Sequence, residues 1–313
     1  MQPTFRSYQT EDDYWRIRNF LREVFVLNGR REHSWHVARL DYWRWHFVLN
    51  LQVCDPLDKV ISIWETADGQ IAAVLHPVGW GEVRLHMHPH FRTAALEDEM
   101  LTYAEEHLSD RSQPGKQLIH VPVFSADAQR QQVLAQRGYS RLSGRVHHWR
   151  QDLDAPIPES SAAPGYAIRA MGELAEHPAR SWASWRAFHA DEPATNYDGD
   201  WSWYQNLQSA PLYRRDLDMV AAAPNGDIAA FSTFYYDDFS RSAVAVLVGT
   251  AAEYQRRGLG RAVMFEGLRR LKRLGCTRVF ANAYDRPADV FYQSVLGTKE
   301  VSETWFRELQ MPG

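Results

Sequence analysis

Three landmarks occur twice in this chain, in the same order and roughly half a chain apart. Asp68-Gly69-Gln70-Ile71-Ala72-Ala73 is matched by Asn225-Gly226-Asp227-Ile228-Ala229-Ala230. Each is a turn dipeptide feeding an apolar run, the signature of a hairpin entering a strand. Upstream, Tyr42-Trp43-Arg44-Trp45 is matched by Asp200-Trp201-Ser202-Trp203. Downstream, His148-Trp149-Arg150-Gln151-Asp152-Leu153 is matched by Thr304-Trp305-Phe306-Arg307-Glu308-Leu309. A period of this length means one domain duplicated rather than a solenoid. Between the copies, Asp154 to Gly165 carries four Pro or Gly among its twelve residues and no apolar period, which reads as a linker. The expected division is therefore 1–153, a linker over 154–165, and 166–313.

Composition supports two cores. The chain has 313 residues, 45% of them hydrophobic, enough for two domains of ordinary size. Its formal charge is −4, with 35 basic and 39 acidic residues spread along it. No basic run marks a nucleic-acid footprint, and no nucleic-acid partner is expected. Cys54 and Cys276 lie far apart and match no metal or redox spacing. Two lone thiols suit a reducing cytoplasm. The first residues lack the apolar core of a signal peptide. The run around Ala243–Val248 is far too short to span a bilayer, so no membrane partner is expected either.

Each copy reads as a short strand (near Phe5–Tyr8 and Tyr166–Ala170), two helical patterns, and then hairpin strands. In the second copy, 218–223, 228–235 and 242–250 are strand candidates. The residues 259–274 form an amphipathic helix, with Leu259, Ala262, Val263, Leu268 and Leu271 near the helical period and Gly275 as its stop. Thr277–Ala283, Ala288–Val295 and Val301–Leu309 continue as strand, helix and strand. The fold class is α/β (α+β): mixed, mostly antiparallel sheets flanked by helices.

One turn carries chemistry. Gln255-Arg256-Arg257-Gly258-Leu259-Gly260 follows an apolar strand and opens the long helix. Glycines let backbone N–H groups approach an anion, and the helix N-terminus adds unpaired donors and partial positive charge. Arg256, Arg257 and Arg261 add charge suited to phosphate. A Walker A loop is excluded, because no Gly-Lys-Ser/Thr is present. A dinucleotide fingerprint is excluded because the third glycine is missing. Two glycines could also simply cap a helix.

The Gln-x-x-Gly-x-Gly turn resembles the pyrophosphate loop of the GNAT superfamily of acetyl-CoA-dependent acyltransferases. Asp285-Arg286-Pro287-Ala288-Asp289-Val290-Phe291-Tyr292, followed by Leu296-Gly297, resembles the family's Asn-x-x-Ala-x-x-Leu-Tyr segment. The resemblance implies two tandem GNAT-like domains, in a layout similar to that of mycothiol synthase. It implies acetyl-CoA as co-substrate without a metal, and Tyr292 as the acid that protonates the departing thiolate. It also implies that Val248-Gly249-Thr250 splays open to receive the pantetheine and the thioester carbonyl. Two positions depart from the pattern. Asp285 replaces Asn, placing a carboxylate near the cofactor, and Thr298 replaces Phe.

The first copy is an internal control. Phe91 to Glu97 can be laid on Tyr254 to Gly260, and Ala95 and Glu97 then replace the two glycines. A carboxylate at a pyrophosphate site repels its ligand. Val133 stands where Tyr292 stands relative to the following glycine. The first copy is therefore read as degenerate and the second as catalytic. The paired tryptophans occur in both copies and read as packing. His86, His88 and His90 alternate and read as an exposed strand face, as does His147-His148. For the base that deprotonates an amine, His189, Asp191, Glu192, Asp237 and Asp238 are candidates. The expected acceptor is a small-molecule or peptide amine, and the expected assembly a monomer or homodimer. A non-catalytic acyl-CoA sensor or assembly module is the alternative.

Overall fold

The computed structural model describes residues 2–159 and 163–309. The chain forms two compact units. Unit 1 comprises residues up to His148 together with those from Lys299 onward; unit 2 comprises Trp149–Thr298. The segment expected to close the second domain thus lies in the first unit.

Unit 1 begins with β1 (Thr4–Ser7), α1 (Glu11–Leu27), α2 (Val37–Tyr42) and α3 (Leu57–Val60). The hairpin strands β2 (Ser62–Glu65) and β3 (Ile71–Gly79) follow, then β4 (Glu82–Met87), α4 (Ala94–His107), β5 (Gln117–Phe124), α5 (Ala128–Gln136) and β6 (Ser140–Asp152). In unit 2 the order is β7 (Ala167–Ala170), α6 (His177–Phe188), α7 (Ser202–Gln208), β8 (Asp218–Ala222), β9 (Ile228–Asp237), β10 (Ser242–Thr250), α8 (Leu259–Arg273), β11 (Arg278–Ala283) and α9 (Arg286–Val295). The last strand, β12 (Thr298–Leu309), pairs antiparallel with β5 from Ser302 to Leu309 and lies between β5 and β6. Its Trp305 joins the unit 1 core with Val121, Leu101 and Leu134. In unit 2 the place beside β11 is taken by the end of β6, where the Leu153 N–H donates to Thr277 O at 2.9 Å.

The duplication is visible in detail. Arg6 on β1 pairs with Asp13, whose carboxylate also accepts the Gln9 N–H. Arg169 on β7 pairs with Glu176 in the same way, and Glu176 accepts the Gly172 N–H. Both hairpin glycines, Gly69 (φ +83°) and Gly226 (φ +90°), are left-handed, as the Asp-Gly and Asn-Gly turns require.

The histidines of unit 1 depart from the sequence reading. His86 and His88 are buried, each 2% exposed, because β4 is an inner strand between β3 and β5 rather than an exposed edge. His86 Nε2 lies 3.0 Å from Nε2 of the fully buried His76, and His86 Nδ1 accepts the Trp35 N–H at 3.3 Å. His76 Nδ1 lies 3.0 Å from Pro77 O. One neutral arrangement satisfies the set: His76 donates to Pro77, and His86 donates to His76. His148 is also buried, with Nε2 2.7 Å from Ser302 Oγ.

In unit 2 the sheet is covered on two faces. Leu259, Val263, Met264, Leu268 and Leu271 of α8 pack with Phe234, Ala230 and Val279 on one side. On the other, Ala183 of α6 and Tyr204 of α7 pack with Phe231 and Val220.

Candidate active site

The site begins where β10 loses a neighbour. β10 runs parallel to β11 only over Ser242–Val244. Beyond an irregularity between Ala245 and Leu247 it stays paired with β9, through Leu247–Thr233, Val248–Ser232, Gly249–Phe231 and Thr250–Ala230. Bulges bend a strand and end pairing in this way. The Ala251 N–H donates to Ala229 O at 3.0 Å on the β9 side. Strand alternation then turns the Gly249 N–H toward β9 and those of Val248 and Thr250 toward the open side. Two backbone donors are thereby presented where the two strands part.

The chain then folds back through a 3₁₀ turn, Ala252–Tyr254, into Gln255-Arg256-Arg257-Gly258. Arg256 (φ +63°) and Gly258 (φ +75°) are both left-handed. Glycine takes that conformation freely, whereas arginine adopts it under constraint. Gly258 is the N-cap of α8 and offers no side chain to the first turn. The first intrahelical bond runs from the Ala262 N–H to Gly258 O at 3.0 Å, so the N–H groups of Leu259, Gly260 and Arg261 point out of the helix end. The turn touches the end of β10: a Cβ on Gly260 would meet Thr250 Oγ1 at 3.1 Å and Phe291 Cε2 at 3.2 Å.

The arginines differ. Arg256 and Arg261 are exposed beside the turn. Arg257 donates to Tyr166 Oη at 2.5 Å and Glu253 O at 3.2 Å, so it braces the turn. Gln255 Nε2 reaches Thr250 O at 3.4 Å. Two supports were not legible in the sequence. Tyr254 Oη donates to Asp227 Oδ2 at 2.5 Å, and Arg186 of α6 reaches Glu253 Oε2 at 3.3 Å.

Tyr292 lies on α9, 8% exposed, one residue beyond the Phe291 that contacts the turn. Asp285 N-caps α9, accepting the Ala288 N–H at 2.7 Å. Its carboxylate therefore serves the helix, as Asn would in that position.

The base candidates separate into two groups. Asp237 is fully buried and accepts the Ser240 N–H at 3.0 Å and hydroxyl at 2.6 Å. It and Asp238 sit at the hairpin end of β10, about 23 Å along the strand from Gly249 at ~3.3 Å per residue. His189, Asp191 and Glu192 are exposed on the segment after α6. That segment is tied near the turn: Arg186, which reaches Glu253, also donates to His189 O at 3.4 Å and Glu192 O at 3.3 Å.

The corresponding part of unit 1 is built otherwise. Thr93 N-caps α4 with its own hydroxyl, accepting the Leu96 N–H at 3.1 Å. Glu97 does not face outward. It is fully buried and takes hydrogen bonds from Arg130 Nε at 2.6 Å and Arg92 Nη2 at 3.0 Å. Val133 is buried in the core.

Residues 179–298 match the acetyltransferase (GNAT) family profile. The family supports acyl transfer from acyl-CoA. Over its whole length the chain is similar in fold to a GCN5-related N-acetyltransferase from Sphaerobacter thermophilus, at 17% identity and TM-score 0.66, covering 99% of this chain and 96% of that one. It is equally similar to a tandem GNAT protein from the clavulanic acid biosynthesis pathway, at 16% identity and TM-score 0.66 with 100% of each chain covered. The layout resembles that of tandem GNAT proteins. No curated protein matches the sequence significantly. Among the described residues, no helix is long and apolar enough to cross a membrane, and no group of three or more His, Cys, Asp or Glu could hold a metal ion.

Proposed function

We propose that unit 2 transfers an acetyl group from acetyl-CoA directly to a primary amine, while unit 1 does not take part in the chemistry. The observation that carries this reading is the contact between the open end of β10 and the uncapped start of α8. Pyrophosphate oxygens would accept from the N–H groups of Leu259, Gly260 and Arg261, with Arg256 and Arg261 supplying charge. The pantetheine and thioester carbonyl would lie along Val248–Thr250, whose outward N–H groups would stabilise the oxyanion.

The amine nitrogen attacks the thioester carbon, forming the C–N bond. Collapse of the tetrahedral oxyanion breaks the C–S bond, and the sulfur takes a proton from Tyr292. Phenol and thiol have ordinary pKa values of about 10 and about 8.5, close enough for a positioned phenol to serve. The proton lost by the amine passes to His189, Asp191 or Glu192, directly or through water. The free thiols of Cys54 and Cys276 fit a cytoplasmic enzyme.

Thiol release from acetyl-CoA, measured with a panel of primary amines, tests the reading. At least one amine should accelerate release saturably and appear as its N-acetyl product. Saturable acetyl-CoA binding with no turnover on any amine would instead identify a sensor.

A further inference from the structure

Unit 2 buries an arginine that the proposed chemistry has not used. Arg180 projects from the sheet-facing side of α6 and is 0% exposed. Its Cζ lies 3.6 Å over the Phe231 ring centre and 5.1 Å from that of Tyr204. Nη2 reaches only Thr233 Oγ1, at 3.5 Å, and Nε and Nη1 have no hydrogen-bond partner among the described residues. The nearby Asp218 carboxylate is occupied by the hydroxyls of Tyr204, Tyr213 and Thr233. Arginine keeps its charge when buried, and a buried charge that meets its carboxylate only through a hydroxyl, as Arg180 meets Asp218 through Thr233, is costly. Unit 1 avoids that cost: its buried Arg18 on α1 makes a two-pronged contact with Asp41, at 2.8 and 3.0 Å.

The position of Arg180 suggests its use. Phe231 is the register partner of Gly249, and its Cζ lies 2.5 Å from where a Gly249 Cβ would stand. The ring therefore offers its negative face to the guanidinium and its positive edge to the strand. Only glycine allows this approach. On either side of Gly249 are the outward N–H groups of Val248 and Thr250.

We propose that Arg180 is a positioning residue for acyl transfer: its buried charge, held on Phe231, favours the negative charge that develops on the thioester oxygen at Val248–Thr250. It acts through the ring and the strand, without touching substrate. The inference rests on β10 being the thioester site. A single charge a few ångströms beyond contact, in a protein interior, is worth about tenfold in rate.

The test needs no acceptor. Infrared difference spectra of acetyl-CoA labelled at the carbonyl carbon are recorded bound to wild type, Arg180→Lys, Arg180→Met and Arg180→Gln, with affinity from calorimetry and melting temperature alongside. In the two uncharged variants the carbonyl band should move to higher frequency, because the bond is less polarised, while Lys holds it near the wild-type position. Affinity should stay within about threefold in each variant. An unmoved band in Met and Gln with binding intact overturns the inference alone. The same shift in Lys as in Met assigns Arg180 a purely structural role and also overturns it. Absence of acetyl-CoA binding to wild type removes the donor-site reading beneath it.

Discussion

The two units solve the start of the same helix in opposite ways. In unit 1 the helix α4 is closed by its own Thr93 hydroxyl, and Glu97 turns inward to bind Arg92 and Arg130. In unit 2 the cap is Gly258, which supplies nothing, so the first-turn donors of α8 remain for a ligand. The same contrast recurs under the first helix of each unit. Arg18 pairs directly with Asp41, whereas Arg180 reaches Asp218 only through Thr233, and two of its nitrogens have no hydrogen-bond partner among the described residues. At these two places unit 1 satisfies its polar groups internally, whereas unit 2 leaves donors and charge around one strand end. Self-satisfaction favours stability, and unsatisfied groups held in place are what a binding site requires.

This contrast can be broken most sharply by adding a carboxylate to the open start of α8. Gly260→Glu places a carboxylate beside Thr250 and the α8 N-terminus. It should lower acetyl-CoA affinity about a hundredfold or more by repelling pyrophosphate, as read by calorimetry; unchanged affinity would remove the turn from the binding site. The reverse disturbance acts on stability. Glu97→Ala leaves the buried Arg130 without its carboxylate partner, while Arg92 keeps Asp127, and should destabilise unit 1 by about 3–5 kcal/mol, seen in urea unfolding. Acetyl-CoA affinity at 25 °C should not change in that variant, and a parallel loss of binding would tie unit 1 to the site. Tyr292→Phe should leave affinity within about twofold and lower the transfer rate about 10²-fold. A wild-type rate across the pH range would exclude Tyr292 as the acid.

A smaller effect separates the units by pH. Burial pushes His76 down to about 4, and His86, also buried, falls well below its ordinary value. Above pH ~6.5 each is neutral both folded and unfolded, and contributes no pH dependence. Between ~6.5 and ~4 the unfolded chain takes up a proton that the native His76 refuses. Stability should then fall by up to about 1.4 kcal/mol per pH unit for each such histidine. Urea midpoints between pH 7 and 5 should show this before the carboxylates titrate; a flat profile would contradict the buried neutral pair.

Much of this architecture was written locally. The hairpin dipeptides, the apolar period of α8 and its left-handed stop at Gly275 (φ +84°) depend on near neighbours, and periodicity reports them well. The turn at Gly258 was legible for the same reason, since its glycines serve a local backbone need. Long-range choices were not. Nothing in Thr304–Leu309 indicates that β12 joins β5, because the same alternating pattern suits either neighbour. The burial of His86 and His88 depended on β4 being an inner strand. Asp237 reads in the sequence as a base candidate in a turn, whereas its burial and the bonds it accepts from Ser240 depend on tertiary packing. Arg180 lies in a helix where a single arginine carries no signal of its environment.

The central claim is that one copy alone holds the acyl donor. Hydrogen exchange of the wild-type chain, measured by mass spectrometry with and without saturating acetyl-CoA, reads both copies at once. The account predicts slowed exchange in peptides spanning 248–261 and no change in those spanning 91–97. Protection at 91–97, or none at 248–261 when the ligand is bound, would contradict it.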